Sequence, residues 1–365
     1  MARIAALLLA AAALCGCAAP AYAGDPLQAA LNHARARVHA PEATAAIIRD
    51  GQVIWQGGSG TRRRGARLRV TAGTPSILAS STKTVTATMV MQLVQEGRLA
   101  LDEPLSDFYP ALPNAGSITL RMLLNHTSGL ADYFDSARLL KIADNVPDHV
   151  WTRDEVIAGI GAPQFPPRAR YLYTNTNYVV LAGIIEKATG ESIEQRFQER
   201  IAGPAGMTAS TFAYQPRRSR AFAHPYYTDS DGAIYDNWVP GLGIASDYWG
   251  PVWGDGGLAS TAPDLARFGD ALFAGKLVSQ QTLKAMLSFS GPDDYGLGIY
   301  EKDSDGTTWI GHDGDYGGYE SENWHDPASN VTITVTTDLE ESEDANDTTS
   351  DRIWLAIARA YAAAG

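Results

Sequence analysis

The two ends of the chain carry its clearest strand patterns, and the middle carries helix patterns. Residues 43–58 form two β-rich runs joined by Asp50-Gly51, a dipeptide typical of a hairpin turn. Strand patterns return only after residue 295, and residues 349–363 have the pattern of a closing helix. Antiparallel strands can pair across a long insertion, so this order predicts one antiparallel sheet built from both chain ends.

The remaining elements support an α+β, three-layer α/β/α fold, in which helices flank the sheet. A helix over 25–39 is opened by Asp25-Pro26. The late strand candidates are residues 295–301, 307–311, 318–325 and 331–337, with turns at Ser304-Asp305-Gly306 and at 326–330. The pattern is mainly helical from about residue 84, and we place the inserted all-α region at about 97–290. A substrate cleft is expected between the sheet and this region.

The first 23 residues are predicted to be a secretory signal peptide, so the folded domain spans residues 24–365. A basic start is followed by the apolar run of residues 4–14, and small residues precede Gly24. Cys17 also lies in a lipobox-like context, which leaves a lipid-anchored form as the alternative. We therefore expect a periplasmic protein whose only membrane contact is such an anchor.

Composition narrows the classes of function. The chain has 41 acidic and 29 basic residues, a formal charge of −12, which argues against general binding of nucleic acid or anionic membranes. Both cysteines lie within the first 23 residues, so cleavage removes any thiol nucleophile. No H-E-x-x-H motif, phosphate-binding loop or G-x-S-x-G motif occurs. We expect neither a metal nor a cofactor.

Ser80-Ser81-Thr82-Lys83 is the first chemical motif. On a helix, positions i and i+3 share a face, so Ser80 Oγ and Lys83 Nζ can approach each other. A desolvated lysine loses its proton readily and can activate a serine hydroxyl. Ser81 lies off that face and is the weaker nucleophile candidate. The alternative interpretation is a polar helix start with a solvated lysine.

Tyr173-Thr174-Asn175 precedes a helical pattern over 177–189 and is the second motif. A tyrosine near Lys83 could relay a proton to a leaving group and then activate water. A second Y-x-N triplet begins at Tyr235; we favour Tyr173 because it opens a well-formed helix.

His312-Asp313-Gly314 is the third motif, and we expect it where one strand ends and another approaches. Glycine lets a ligand come close to the backbone, and an open strand edge can supply an N–H to an oxyanion.

In this order the three motifs resemble those of the serine β-lactamase and D,D-peptidase superfamily. The closest resemblance is to the branch of class C β-lactamases, D-Ala-D-Ala carboxypeptidases and class VIII esterases. Residues 123–130 (LLNHTSGL), 173–186 (YTNTNYVVLAGIIE) and 255–268 (DGGLASTAPDLARF) also resemble segments of this branch. The resemblance covers roughly residues 43–340 and implies an antiparallel sheet flanked by helices plus an all-α region.

The resemblance also implies roles for individual residues. Ser80 would be the acylated nucleophile and Lys83 its base, while Tyr173 would be the proton shuttle and deacylation base. The remaining implied roles are Asn175 as a substrate-binding group, His312 as support for Tyr173 and the substrate, and the backbone N–H groups of Ser80 and Asp315 as the oxyanion hole. We expect His126, in the H-T-S-G-L segment, to be structural.

Two acidic residues depart from the family pattern. The middle of the H-x-G motif is often Thr or Ser, which binds a substrate carboxylate, whereas here it is Asp313, with Asp315 just after Gly314. Two carboxylates would repel a substrate carboxylate and favour a neutral ester or an amino-bearing D-amino-acid amide. The alternative is that both side chains point into solvent.

Several aromatic residues crowd the irregular stretch 214–255. They are expected either to wall the substrate pocket or to pack under a long loop, and the candidates are Tyr226, Tyr227, Trp238, Trp249 and Trp253.

The combined hypothesis is an exported serine hydrolase that forms an acyl-enzyme on a small-molecule or peptide substrate, with D-amino-acid peptides or amides preferred. A carboxylesterase, a β-lactamase and a non-catalytic peptidoglycan-binding relative are the alternatives.

Overall fold

The computed structural model describes residues 24–146, 149, 151–212, 222–229, 232–239, 243–244, 253–289, 295–341 and 348–364. The predicted signal peptide and lipobox therefore lie outside the described residues.

Helices occur near both ends of the chain and through its middle. They are α1 (Pro26–Arg37), α2 (Thr82–Gln95), α3 (Leu120–Leu124), α4 (Ala137–Asn145), α5 (Arg153–Ala158), α6 (Thr176–Thr189), α7 (Ile193–Phe197), α8 (Gly203–Ala205), α9 (Ala262–Phe273), α10 (Gln280–Met286) and α11 (Thr349–Ala364). Short 3₁₀ turns cover Ala79–Ser81, Leu105–Asp107 and Tyr133–Asp135, and a π turn covers Gln198–Ala202.

The strands form one large sheet and several small ones. They are β1 (Glu42–Arg49), β2 (Gln52–Gly60), β3 (Ser76–Ile77), β4 (Thr211–Phe212), β5 (Tyr226–Thr228), β6 (Ile234–Asp236), β7 (Trp238–Val239), β8 (Gly243–Ile244), β9 (Leu258–Ser260), β10 (Tyr300–Ser304), β11 (Thr307–Tyr316), β12 (Tyr319–Asp326), β13 (Val331–Thr337) and β14 (Leu339–Glu341). Six of them pair in the order β10-β11-β12-β13-β1-β2, with every pairing antiparallel.

The predicted sheet from both termini is confirmed by this order. The β1–β2 hairpin turns at Asp50 and Gly51, whose φ angles of 52° and 77° both lie in the left-handed region that a two-residue turn needs. Strand β1 then pairs with β13 in register from Ala43↔Thr337 to Arg49↔Val331. Pairing β1 with β13 joins the N-terminal hairpin to the late strands in one sheet.

Helices cover both faces of the sheet, as predicted. Helices α1 and α11 pack together on one face over a core that contains Trp324 and Trp354. Helix α9 packs on the other face, where Ala46 and Ile48 of β1 meet Ala262 and Ala266. Small alanine side chains let this helix approach the sheet closely.

A second core holds the inserted region together. It is built around α2 and α6, whose residues are buried almost along their full length. The interval 97–290 contains helices α3 to α10 but also the short strands β4 to β9. The late strands also begin later than predicted: β10 starts at Tyr300 rather than at residue 295, and Tyr295 makes only an isolated bridge with Tyr300. The start of α2 lies where this region meets β11.

Candidate active site

Ser80 lies in the 3₁₀ turn immediately before α2. Ala79 has a φ of 45°, a conformation that L-residues rarely adopt and that is held only where the surrounding structure enforces it. The backbone of β11 lies against this turn: a Cβ added to Gly314 would be 2.5 Å from the Ser80 backbone nitrogen. The chain therefore needs glycine at 314 for β11 to approach the Ser80 backbone.

Lys83 is fully buried one helical turn after Ser80. Its Nζ donates to Ser80 Oγ at 2.8 Å, to Asn175 Oδ1 at 2.8 Å and to the backbone oxygen of Asp255 at 2.9 Å. Burial lowers the pKa of Lys83 from 10.5 to about 8, although nearby carboxylates, Asp255 first, oppose the shift. A lysine of this pKa supplies a neutral amine next to the serine hydroxyl at mildly alkaline pH.

Ser81 points away from this amine. Its hydroxyl pairs with Ser321 at 2.8 Å and donates to the backbone oxygen of His312 at 3.1 Å. The sequence-based preference for Ser80 over Ser81 agrees with this arrangement.

Tyr173 completes the cluster from the loop before α6. Lys83 Nζ lies 4.9 Å from the centroid of its ring. Burial raises the pKa of Tyr173 well above its usual value of 10, and a hydrogen bond with Ser80 only partly offsets this. The resting hydroxyl is therefore protonated, so Tyr173 is suited to passing on a proton that it regains from a neighbour. The rival Tyr235 is exposed and stacks on Tyr227 instead.

His126 holds the Tyr173 loop in place. Its ring stacks on Tyr173 at 4.3 Å, and its Nδ1 accepts from the backbone N–H of Thr174 at 3.2 Å. Burial lowers the pKa of His126 well below 6.5, so the ring is neutral. This matches the structural role expected for it.

Asn175 is oriented by an acid that the sequence analysis did not single out. Asp132 accepts from the Asn175 backbone N–H at 2.7 Å and from its Nδ2 at 3.1 Å. Because Nδ2 is engaged by the carboxylate, Oδ1 faces Lys83. Asp132 lies two residues after the LLNHTSGL segment. The resemblance of that segment to the family was the one sequence feature that could have pointed to it.

Asp255 is the second residue that the sequence analysis missed. Its backbone oxygen accepts from Lys83, and its carboxylate accepts from the Tyr133 hydroxyl at 2.9 Å. Burial raises the pKa of Asp255 to about 6, with Lys83 opposing the shift. Asp255 is the first residue of the DGGLAST segment. Its hydrogen bond with Lys83 uses the backbone oxygen, and a backbone contact cannot be predicted from the type of side chain.

His312 lies within β11 rather than at a strand end, and its partner differs from the one predicted. Its Nε2 is 3.0 Å from the Tyr295 hydroxyl, and its Nδ1 is 2.6 Å from the backbone oxygen of Asp313. The ring centroid is 6.3 Å from that of Tyr173. The side-chain partner of His312 is therefore Tyr295 and not, as had been expected, Tyr173. The rings of Tyr295 and Tyr173 pack edge to face, with their centroids 6.2 Å apart.

Strand β11 extends past β10 at the site. Tyr300, the first residue of β10, pairs with Gly311, so the β11 residues from His312 onward lie beyond that strand. His312 and Gly314 are nevertheless buried, so accessibility of this edge to a substrate stays a prediction.

Asp313 and Asp315 have different environments. Asp313 accepts from the Tyr300 hydroxyl at 2.7 Å; burial opposes its ionisation, but hydrogen bonds from His312 and Tyr300 outweigh burial and lower its pKa. Asp315 keeps contact with solvent, but partial desolvation by the surrounding protein and the Asp313 carboxylate raise its pKa. Asp313 therefore does not simply point into solvent, and an ionised carboxylate is fixed between Tyr300 and His312.

The aromatic pocket prediction is wrong for Tyr226. Tyr226 is 2 % exposed in the core beneath the sheet, and its hydroxyl accepts from the Arg64 backbone N–H at 2.9 Å. Trp238 stacks on His224 at 4.8 Å, and the structure assigns it no role at Ser80. Trp253 is buried in the helical core, and Trp249 lies outside the described residues.

Two negative findings apply to the described chain. Within the ranges given above, no group of three His, Cys, Asp or Glu side chains could hold a metal ion. No helix of the described part is long and apolar enough to cross a membrane.

A family model supplies the independent identification. The Beta-lactamase family model matches residues 27–358. The chain belongs to the Beta-lactamase family. The matched span contains every residue of the Ser80 cluster and all six strands of the large sheet.

Individual relatives include peptidases and amidases. Penicillin-binding protein 4* of Bacillus subtilis is 31% identical over 266 residues, which are 67% of this chain and 56% of the relative. A D-aminopeptidase of Cereibacter sphaeroides is 24% identical over 339 residues, 88% of this chain and 61% of the relative. The chain thus spans about three fifths of the length of these curated relatives.

Solved structures share the fold over nearly the whole chain. The D-amino acid amidase from Ochrobactrum anthropi, complexed with L-phenylalanine amide, has a TM-score of 0.79 and 24% identity. That match covers 93% of this chain and 98% of the amidase chain. This likeness establishes the three-layer fold.

Proposed function

We propose that this chain is a serine hydrolase that forms an acyl-enzyme on Ser80 and acts on D-amino-acid amides or peptides. The observation that carries the proposal is the buried Lys83 amine, 2.8 Å from Ser80 Oγ, with its pKa lowered to about 8. The D-aminopeptidase and D-amino acid amidase named above support this choice of substrate.

The geometry supports a proton path through these side chains. Neutral Lys83 takes the proton of Ser80, whose oxygen then bonds to the substrate carbonyl carbon. The developing oxyanion is bound by the backbone N–H groups of Ser80 and Asp315. Tyr173 gives its proton to the leaving amine and regains one from Lys83, after which the C–N bond is broken and the acyl group is on Ser80.

Hydrolysis of the acyl-enzyme uses the same groups. A water molecule takes the place of the leaving amine, and Tyr173 and Lys83 together accept its proton as its oxygen attacks the ester carbon. Ser80 leaves with a proton returned from Lys83. Asn175, held by Asp132, orients the lysine. We propose that its second Nδ2 proton is the donor to the substrate.

The charges around the cleft favour a substrate with an ammonium group. Asp313 is held ionised, and Asp315 is exposed next to it. These carboxylates would attract the free amino group of a D-amino-acid amide and repel a free substrate carboxylate. We infer that a blocked or carboxylate-bearing substrate is used less well than an amino-bearing one.

A substrate panel tests the proposal. We expect kcat/KM for D-phenylalanine amide to exceed the values for its L enantiomer and its N-acetyl derivative at least tenfold. Asp315→Asn should lower the preference for the free amine, whereas Asp303→Asn, which removes an exposed acid on β10, should preserve it. Equal turnover of the N-acetyl derivative would refute amine recognition, and turnover of short esters or penicillins alone would identify an esterase or a β-lactamase.

We also propose that residues 1–23 direct export to the periplasm. Intact mass of the protein from fractionated cells distinguishes the forms: a chain starting at Gly24 supports the signal peptide, and a lipid-modified Cys17 supports the anchored form. An unprocessed cytoplasmic chain would contradict both.

A further inference from the structure

A surface cavity away from Ser80 is lined by arginines. It has a volume of about 590 Å³ and lies between α1 and the segment that follows β2. Arg35, Arg67 and Arg69 line it together with the hydroxyl residues Ser59 and Thr61, and no acidic side chain is among its lining residues. In a chain of net charge −12, this is a local concentration of positive charge.

The segment 61–69 holds two of these arginines in position. Thr61 forms an antiparallel bridge with Arg69, and the Arg62 backbone N–H donates to the backbone oxygen of Leu68 at 2.9 Å. The side chains of Arg67 and Arg69 are exposed, and neither forms an ion pair with any described residue. Their guanidinium groups are therefore available to a ligand.

Arg35 is fixed from the other side of the cavity. Its Nε donates to Ser59 Oγ at 2.8 Å and its Nη1 to the backbone oxygen of Ala40 at 2.7 Å. Two buried acids feel the charge of Arg35: burial raises the pKa of Glu42 to about 8 and that of Asp338 well above its usual value. At neutral pH Glu42 is therefore mainly protonated and does not cancel the charge of Arg35.

We propose that this cavity binds a phosphoryl group, either of a soluble phosphate ester or of a lipid headgroup. Arg67 and Arg69 each offer a guanidinium fork, and Arg35 adds a fixed positive charge beside them. The tetrahedral oxygens of a phosphate can meet two forks at once, whereas the two coplanar oxygens of a carboxylate suit one. The Ser59 hydroxyl accepts from Arg35 and can donate its own proton to a ligand at the same surface. The volume leaves room for the alcohol to which the phosphate is esterified.

Binding experiments on the full chain test the proposal. Calorimetry would measure affinity for inorganic phosphate and glycerol phosphate at low salt, and co-sedimentation would use vesicles of phosphatidylglycerol and phosphatidylcholine in a 3:7 ratio. The test variant is Arg67→Gln/Arg69→Gln. The matched control is Arg63→Gln/Arg64→Gln, which removes equal charge from exposed positions outside the lining.

We expect the test variant to weaken phosphate or vesicle binding at least tenfold and the control to change it less than about twofold. Binding of the soluble esters alone identifies a soluble ligand, and binding of the vesicles alone identifies a headgroup. No binding of any probe, or equal loss in both variants, would overturn the proposal. Thermal unfolding of each variant shows that the comparison is between folded proteins.

Discussion

The negative charge of Asp255 raises the pKa of Lys83, so we expect the reactivity of Ser80 to depend on pH in a way that Asp255 controls. Lys83 has a pKa of about 8, so about a tenth of it is neutral at pH 7 and about nine tenths at pH 9. If neutral Lys83 activates Ser80, the rate at which Ser80 reacts should rise about tenfold between these pH values. A fluorophosphonate probe measures this rate without a titrating substrate.

Asp255→Asn shifts that profile in a defined direction. Asp255 has a pKa of about 6, so it is ionised at pH 7 and raises the pKa of Lys83. Removing one nearby carboxylate lowers a lysine pKa by about one unit, which would bring Lys83 to about 7. About half of Lys83 would then be neutral at pH 7, and labelling there should be about fivefold faster than in the wild type, with little change at pH 9.

The variant keeps the local packing, since the asparagine oxygen can still accept from the Tyr133 hydroxyl. Asp102→Asn removes an exposed acid and should leave the midpoint near pH 8. A midpoint in Asp255→Asn equal to or above the wild-type value would refute the role of Lys83 as the base. If the labelling rate of the wild type reached its midpoint only well above pH 10, Tyr173 would be the base that activates Ser80.

Three further substitutions test separate parts of the account. Gly314→Ala places a Cβ 2.5 Å from the Ser80 backbone nitrogen, so we expect the free energy of unfolding to fall by about 1–3 kcal/mol and Ser80 to lose its reaction with the probe. Unchanged unfolding in denaturant would contradict the close approach. Asp132→Ala removes the acceptor of the Asn175 backbone N–H, which should lower the free energy of unfolding by about 1–3 kcal/mol. Labelling of Ser80 should slow at least tenfold, and an unchanged rate would show that Asn175 does not depend on Asp132. Glu42 has a folded pKa of about 8 against an ordinary 4.5, so its stabilising contribution is present below pH 4.5 and lost as the pH rises through 8. The Tm of Glu42→Gln, measured relative to the wild type, should therefore rise from pH 5 to pH 9. A Tm difference that does not change with pH would contradict the raised pKa of Glu42.

Local signals predicted the elements of the fold well. The turn at Asp50-Gly51 was predictable because both positions need positive φ, which this dipeptide favours. The helix after Asp25 was predictable because the carboxylate caps the N–H of Leu27. The order of strand and helix patterns along the chain predicted that both ends share one sheet, but not that β1 lies between β13 and β2.

The site was predictable where spacing along one helix decides the geometry. Ser80 and Lys83 are three residues apart at the start of α2, and the contact between them follows. The position of His312 depended instead on how far β11 continues and on which tyrosine packs against it. Tyr295 lies 17 residues away in sequence, so no local pattern linked the two.

The aromatic residues show the limit of composition as a guide to a pocket. Tyr226 and Tyr227 are adjacent, yet one is 2 % and the other 40 % exposed because alternate residues of a strand face opposite sides. The register of so short a strand depends on its partner β14, which comes more than a hundred residues later. Burial of Tyr226 therefore followed from a long-range pairing.

The central claim is that Ser80, activated by Lys83, is the nucleophile. Intact mass after reaction with a fluorophosphonate probe tests it most directly, with peptide mapping of the adduct. We expect one adduct on Ser80 of the wild type, none on Ser80→Ala, and an adduct on Ser81→Ala as in the wild type. A wild-type chain without an adduct, or an adduct that persists in Ser80→Ala, would contradict it.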